Sequence, residues 1–392
     1  VNVFLDNMLH ELGIDPTRES FSVKITGGPD GDVAGNELKI LHREYGENAK
    51  VVAIGDGFGA AYDPQGLNWN ELLRLVREGL PISHFSKECL SQDPKAFVIL
   101  ADNPERIKIR NNLYARAVAD IFIPAGGRPY TVNADNWKNF LQPDGSPSAR
   151  AVVEGANIFF TDEARERLQE KGLLMFKDSS ANKCGVICSS FEILAALVIK
   201  PEEFIKIKKV YVGQVLEKLR AKANAEASLL LREYHERGRR TNLVQLSKIL
   251  SAVINRVTDL VSENLQGLSE EEMHNPVYDQ MIRAYAPAIL SEKFGDLLQT
   301  QIPRSYRLAL ISADIAARLV YKEGISWLEH LPDQAVVETV HFYLRQEHHL
   351  HELMRQVDGS KLANKDEVLD ILRISGARTL TQLARIKNKP LQ

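Results

Sequence analysis

FSVKITGGPDGDVAGNELKI, residues 21–40, gives the clearest indication of the fold. A β-branched run ends in a glycine-rich turn, and an amphipathic helical pattern follows from Leu38. Glycines at a strand-to-helix turn let the backbone bend sharply and approach a phosphate, whose charge meets the free N–H groups of the next helix. Because Gly28, Gly31 and Gly35 are spaced more loosely than G-x-G-x-x-G, the turn alone fits phosphate binding and a merely tight connection equally.

Short apolar runs alternate with helical stretches on both sides of this turn, from about residue 20 to residue 192. Their hydrophobicity is nearly continuous, which is typical of parallel strands covered on both faces. The sequence therefore predicts an α/β fold, a Rossmann-like and mostly parallel sheet with helices on both faces. The predicted strands are residues 21–25, 50–54, 96–100, 121–123, 151–153 and 173–176.

The pattern changes after Glu192, where strand signals stop and helical periodicity begins. Proline and acids at residues 201–203 suit the first turn of a helix. We therefore predict that an all-α C-terminal domain follows the sheet. The predicted divisions are an N-terminal helix or connector at 1–19, a nucleotide-binding domain at 20–192 and the helical domain at 193–392.

Composition argues against several kinds of protein. The chain carries 49 Lys and Arg against 52 Asp and Glu, so its net charge of −3 gives no reason to expect a nucleic acid or membrane partner. Three cysteines are too few for a disulfide framework and fit a reducing cytoplasm. We recognise no apolar run long enough to span a bilayer and no metal-site spacing. The start at Val1 indicates a fragment of a longer polypeptide.

An acid follows the second predicted strand, which ends at Gly55-Asp56-Gly57. In a dinucleotide-binding fold, a carboxylate at this position accepts a hydrogen bond from the ribose 2′-hydroxyl and repels a 2′-phosphate. Asp56 therefore favours NAD over NADP. The alternative is that Asp56 only stabilises the glycine-rich loop around it.

Three further motifs follow in order along the chain: ADIFIPAGG at 119–127, VEGAN at 153–157 and ANKCGVICSSFE at 181–192. Together they resemble the coenzyme domain of glutamate dehydrogenases over roughly residues 20–192. The form of the glycine turn and the long helical extension are similar to the large NAD-specific class. The resemblance implies oxidative deamination of L-glutamate to 2-oxoglutarate and ammonia, NAD as cofactor and a homo-oligomer.

The resemblance also implies site residues, most of them at the carboxyl ends of strands, where open α/β sheets bind ligands. Val186 would pack on the substrate's aliphatic stem and Ser189 would bond its side-chain carboxylate, unless Ser189 bonds its own helix backbone. Turn formation and helix capping are the alternative roles for Asn157 and Asn182. The predicted cofactor-binding residues are Gly28, Asp30, Gly31, Asp32, Val33, Gly35, Asp56, Ala125, Gly126, Asn157 and Asn182.

The catalytic groups are the main departure from the family pattern. In this family, lysines and an aspartate in a preceding substrate domain carry out the acid–base chemistry. No glycine-rich lysine segment lies ahead of Ser20, so we predict no catalytic residue in this chain and no glutamate turnover by it alone. Two alternatives stay open: a dehydrogenase of another amino acid, such as leucine or phenylalanine, and a non-catalytic nucleotide-sensing or assembly module.

Overall fold

The computed structural model of the chain describes residues 1–269, 276–326 and 328–373. These residues form two compact units. The first comprises residues 1–188 and 219–247, and the second comprises residues 189–218 and the described residues from 248 onward.

The two units do not follow a single cut in the sequence. The segment 219–247 belongs to the first unit, although it lies inside the helical domain predicted from the sequence. The division of the chain into residues 1–19, 20–192 and 193–392 stays a prediction.

A seven-stranded sheet forms the centre of the first unit, with strand order β4-β3-β2-β1-β5-β6-β7. β3 runs antiparallel to both of its neighbours, β2 and β4, and the other strand pairs are parallel, which confirms the predicted mostly parallel sheet. The strands are β1 Phe21–Thr26, β2 Ala49–Gly55, β3 Gly59–Tyr62, β4 Phe97–Leu100, β5 Ala119–Pro124, β6 Ala149–Val153 and β7 Leu174–Phe176.

The sequence pattern did not predict β3. Glycine and alanine have low β propensity, so this strand carries no local signal. Its neighbours explain its composition, because a Cβ built on Gly59 would lie 2.3 Å from the carbonyl oxygen of Ile99 on β4. Ala60 and Ala61 are completely buried between the flanking strands.

The order of the strands leaves a crevice beside β1. The chain moves outward from β1 through β2 and β3 to β4, and then crosses back to pair β5 with the other edge of β1. The loops after β1 and β5 therefore leave the sheet in opposite directions. Ligands of open α/β sheets bind at this kind of switch point.

Local signals explain where the helices of the first unit begin. Helix α4 has proline at its first turn, and the Asn103 side chain accepts a hydrogen bond from Arg106 N–H at 3.0 Å. Helix α2 instead begins at a glycine cap, Gly31, directly after the turn. The helices are α1 Asn2–Glu11, α2 Asp32–Tyr45, α3 Trp69–Glu78, α4 Pro104–Arg116, α5 Asp162–Gln169 and α6 Asp178–Ala181.

After β7 the described chain contains helices and connections but no further strand. This confirms the predicted change from an α/β to an all-α pattern. Apart from helical residues at 365–373, the helices are α7 Cys184–Val198, α8 Pro201–Glu236, α9 Leu243–Gln266, α10 Pro276–Tyr285, α11 Ala288–Thr300, α12 Arg304–Glu323 and α13 Asp333–Asp358.

A lysine lies in the middle of the central strand. Val23, Lys24 and Ile25 are consecutive and at most 2% exposed, so both faces of β1 are covered. The Lys24 ammonium donates to Ala117 O at 2.8 Å and to Ser148 Oγ at 2.7 Å, and burial lowers its pKa well below the ordinary value. It ties β1 to the segments that lead into β5 and β6.

The stretch Asp178–Val198 is long and apolar enough, by length and composition, to span a membrane. Our expectation that no run reaches that length was therefore wrong by this measure. In the structure the stretch consists of α6 and α7, with a break at Asn182 and Lys183. The absence of a membrane partner stays a prediction.

Candidate functional site

A cleft of about 970 Å³ opens at the carboxyl ends of β1, β2 and β5. This volume lies at the upper end of the range of small-molecule and cofactor pockets. Its walls are the glycine turn, the loop after β2, one face of α4 and the loop at residues 126–131. Four of the predicted cofactor-binding residues line it: Gly28, Asp30, Asp56 and Gly126.

The glycine turn packs directly on the helix that follows it. Gly31 N–H donates to Gly28 O at 2.9 Å, which closes the turn. A Cβ built on Gly35 would lie only 2.4 Å from the carbonyl oxygen of Pro29, so a glycine is required there. The turn is therefore tight and also faces the cleft, with the N-terminus of α2 directly behind it.

Two loops interlock through glycines at the switch point. Gly27 has φ +104°, and a Cβ built on Gly126 would lie 2.9 Å from the Gly27 Cα. Hydrogen bonds at 2.7 Å from Thr26 Oγ1 to Gly126 O and at 2.8 Å from Ala125 N–H to Thr26 O hold the loops together. Gly27 was not among the predicted residues; the Gly-Gly pair at 27–28 was its signal in the sequence.

The Asp56 carboxylate lies against the glycine turn, because a Cβ built on Gly28 would be 2.5 Å from Asp56 Oδ2. It accepts backbone N–H groups from Phe58 at 2.8 Å, Gly59 at 3.0 Å and Ile82 at 2.7 Å. Burial raises the pKa of Asp56, and these three hydrogen bonds oppose that rise. Asp56 therefore stabilises its own loop, while a carboxylate with about four acceptor positions keeps capacity for a ligand hydroxyl.

Arg110 in the cleft was missed by the sequence interpretation. It lies on α4 with Ile107 and Tyr114, which line the cleft from the same helix face. Its Nε is buried and has no hydrogen-bond partner among the described residues, whereas Arg106 one turn earlier pairs with Asp102 at 2.9 Å. An arginine on a charged helix usually faces solvent, so the sequence contained no signal for this one.

Asn157 and Asn182, 25 residues apart in sequence, meet in the structure. Asn182 Nδ2 donates to Asn157 Oδ1 at 2.6 Å and to Gly155 O at 3.2 Å. Asn182 also occupies the C-terminal cap position of α6, so capping and pairing occur together. A Cβ built on Gly155 would lie 3.2 Å from a Val33 methyl group, which places this loop beside the start of α2.

The remaining predicted residues do not line the cleft of about 970 Å³. Asp32 lies in the first turn of α2. Val186 and Ser189 are exposed on α7, three positions apart, and their contact with a substrate stays a prediction. Among the described residues, no three His, Cys, Asp or Glu side chains group as a metal site would need.

The sequence model of the glutamate/leucine/phenylalanine/valine dehydrogenase family matches residues 1–253. The chain belongs to this family. It is 34% identical to glutamate dehydrogenase 2 of Dictyostelium discoideum over 77% of this chain and 30% of that protein. It is 32% identical to the NAD-specific glutamate dehydrogenase of Saccharomyces cerevisiae over 76% of this chain and 29% of that protein. The match thus spans about 30% of the length of these relatives.

Two solved structures that resemble this chain are also glutamate dehydrogenases. The hetero-hexameric enzyme of Thermus thermophilus superposes with a TM-score of 0.43 at 20% identity, over 62% of this chain and 48% of that chain. Glutamate dehydrogenase 2 of Plasmodium falciparum gives 0.44 at 18% identity, over 63% and 48%. The family assignment rests on the sequence match.

Proposed function

We propose that this chain is the coenzyme-binding portion of an NAD-dependent glutamate dehydrogenase. The observation that carries the proposal is the glycine turn interlocked at the switch point, with Asp56 beside it in a cleft of about 970 Å³. The whole protein would oxidise L-glutamate to 2-oxoglutarate and ammonia. A cytoplasmic homo-oligomer, and acid–base residues supplied by a further domain, are parts of the same proposal.

Glutamate is favoured over the other amino acids of the family by the relatives. Proteins named glutamate dehydrogenase are 32–34% identical to this chain over about three quarters of it or more, and several of their names include NAD-specific. These names support both parts of the proposal, the amino acid and the dinucleotide.

The residues of the chain have distinct tasks in this proposal. The N–H groups at the start of α2 and the glycine turn would meet the pyrophosphate, and Asp56 would accept the ribose 2′-hydroxyl. The pairing of Asn182 with Asn157 Oδ1 leaves the Asn157 amide nitrogen as a donor for a ribose or carboxamide group. Bound NAD would supply the hydride acceptor, while these residues bind and orient it.

Calorimetric titration of the chain with NAD and NADP tests the proposal. We expect NAD to bind and NADP to bind at least about tenfold more weakly, because Asp56 would repel a 2′-phosphate. Equal affinity for the two dinucleotides would remove Asp56 from its proposed role. Binding of neither would contradict the assignment of this chain as a coenzyme-binding portion.

Arg110 should contribute a charge-assisted contact to the bound dinucleotide. We expect Arg110→Met to weaken NAD binding by about 10- to 100-fold, the usual effect of losing a hydrogen bond to a charged group. Arg106→Met is the matched control, since Arg106 lies on the same helix but is paired with exposed Asp102. If both variants bind NAD as the unmodified chain does, Arg110 does not contact the ligand.

A further inference from the structure

A buried arginine contacts the starts of the two segments that lead to Asn157 and Asn182. Arg165 on α5 is 3% exposed, and its Nε and Nη2 donate to the two oxygens of Glu154 at 2.8 and 2.7 Å. Its Nη1 donates to Asp162 at 2.9 Å. Glu154 is completely buried, so this is an interior bidentate ion pair.

The same guanidinium approaches a second buried acid. Arg165 Nη2 lies 3.6 Å from Asp178 Oδ2. Glu154 directly follows β6, and Asp178 follows β7 after one intervening residue. Arg165 therefore bridges the bases of two neighbouring loops at the carboxyl edge of the sheet: the loop after β6 and the loop between β7 and α7, which contains the four-residue helix α6.

Each of these loops leads to one of the two asparagines. Asn157 lies three residues after Glu154, and Asn182 lies four residues after Asp178. The loops meet again through the amide hydrogen bond of 2.6 Å. The Arg165 ion pairs thus join the two loops at their start, and the hydrogen bond between the Asn182 and Asn157 amides joins them at their far end.

The loop that carries Asn157 is held in a strained conformation. Ile158 has φ +48°, which is costly for a β-branched residue, by about 1–3 kcal/mol. Its N–H donates to Asp178 Oδ2 at 2.7 Å, and its carbonyl accepts Tyr130 N–H at 2.8 Å. Tyr130 lines the cleft, so the geometry set by Asp178 extends to the cleft wall.

Packing alone does not require a charged group at this place. A methionine would fill a similar volume without bringing a guanidinium and carboxylates out of water, and buried ion pairs are weak evidence for stability. Burial raises the pKa of Glu154 to about 7 even with Arg165 beside it. Burying the Arg165 guanidinium therefore costs desolvation free energy that a methionine would not. In return, the guanidinium contacts an acid at the start of each of the two loops.

We propose that Arg165 is a positioning residue of the coenzyme site: through Glu154 and Asp178 it sets the spacing of the two loops and so orients the Asn157–Asn182 pair. This inference rests on the proposed function in one respect, that the ligand is a dinucleotide. Asp56 follows β2 on one side of the switch point, whereas the paired loops follow β6 and β7 on the other side. Because a dinucleotide lies across such a point with one nucleotide on each side, Asp56 would bind the adenosine half and the paired loops the nicotinamide half. Arg165 therefore contributes to the binding of one half only.

The test compares NAD with ADP, which lacks the nicotinamide half. We expect Arg165→Met to lower NAD affinity about tenfold, because misplaced contacts lose affinity, while ADP affinity stays unchanged. Arg167→Met on the same helix is the control, since Arg167 pairs with Glu163 at the surface. The Arg165→Met change leaves the buried Glu154 carboxylate without its partner, and the double variant Arg165→Met/Glu154→Gln removes that charge. The thermal stability of the double variant should therefore recover, while the ratio of its NAD affinity to its ADP affinity stays low.

The outcomes separate this inference from the proposed function. If the unmodified chain binds neither NAD nor ADP, the proposed function fails. If the unmodified chain binds both, and the double variant regains the original NAD-to-ADP ratio together with its stability, Arg165 is only structural. Unchanged NAD binding by Arg165→Met, or equal losses for NAD and ADP, would also overturn the positioning role.

Discussion

Gly35→Ala should lower the affinity of this chain for NAD at least about 100-fold. The added Cβ would lie 2.4 Å from the Pro29 carbonyl oxygen, which is backbone and cannot rotate away. The turn would have to move by about 1 Å from α2 to restore an ordinary contact near 3.4 Å. That shift displaces the N–H groups proposed to meet the pyrophosphate. Calorimetric titration with NAD measures the loss, and thermal unfolding shows whether the variant is folded.

Gly213→Ala is the matched control for this change. Gly213 is also inside a helix, α8, and a Cβ built there meets nothing within 4 Å. Alanine is a better helix former than glycine by about 1 kcal/mol, so this variant should be as stable or more stable and should bind NAD normally. A Gly35→Ala chain that also binds NAD normally would show that the close packing of turn and helix is not needed for the site.

Arg307→Met should lower the free energy of unfolding of the second unit by about 3–5 kcal/mol, as expected when one partner of a buried charged network is removed. Arg307 is 2% exposed, and its guanidinium donates to Asp279 Oδ1 at 2.7 Å. It also donates to the carbonyl oxygens of Leu298 at 3.2 Å and Gln299 at 2.7 Å, near the end of α11. Methionine fills the space but donates no hydrogen bond. Urea denaturation gives the loss, and hydrogen exchange of the α11 and α12 amides shows where it occurs.

Two further variants determine whether the loss comes from the buried network. Arg373→Met removes an exposed pair with Asp370, in which both side chains are at least 60% exposed, and should change stability by no more than about 0.5 kcal/mol. Adding Asp279→Asn to Arg307→Met should recover part of the lost stability, because it removes the negative charge of a side chain that is only 14% exposed and that has lost its arginine. An Arg307→Met chain as stable as the Arg373→Met control would mean that the α11 carbonyls and Asp279 find other partners.

Much of the fold follows from patterns local in the sequence. The five parallel strands β1, β2, β5, β6 and β7 and the edge strand β4 coincide with the predicted apolar runs to within about two residues, because strands covered on both faces need continuous hydrophobicity. The glycine turn, α2 and Asp56 form a short consecutive unit, so their arrangement is also local. Three of the predicted cofactor-binding residues, Gly28, Asp30 and Asp56, lie in this part of the chain, and all three line the cleft.

The amino-acid sequence alone predicted the alternation of strands and helices, the change to an all-α pattern and the place of the glycine turn. Each depends on spacing within a few residues, and the family motifs identify the same elements. The segments that meet across long sequence distances were evident only in the folded structure. The contact of Gly27 with Gly126, the burial of Lys24, the unpaired Nε of Arg110 in the cleft and the bridge from Arg165 to Glu154 and Asp178 join parts far apart in the chain. No local pattern predicts them, because their energies arise from desolvation and packing between elements that only the folded chain brings together.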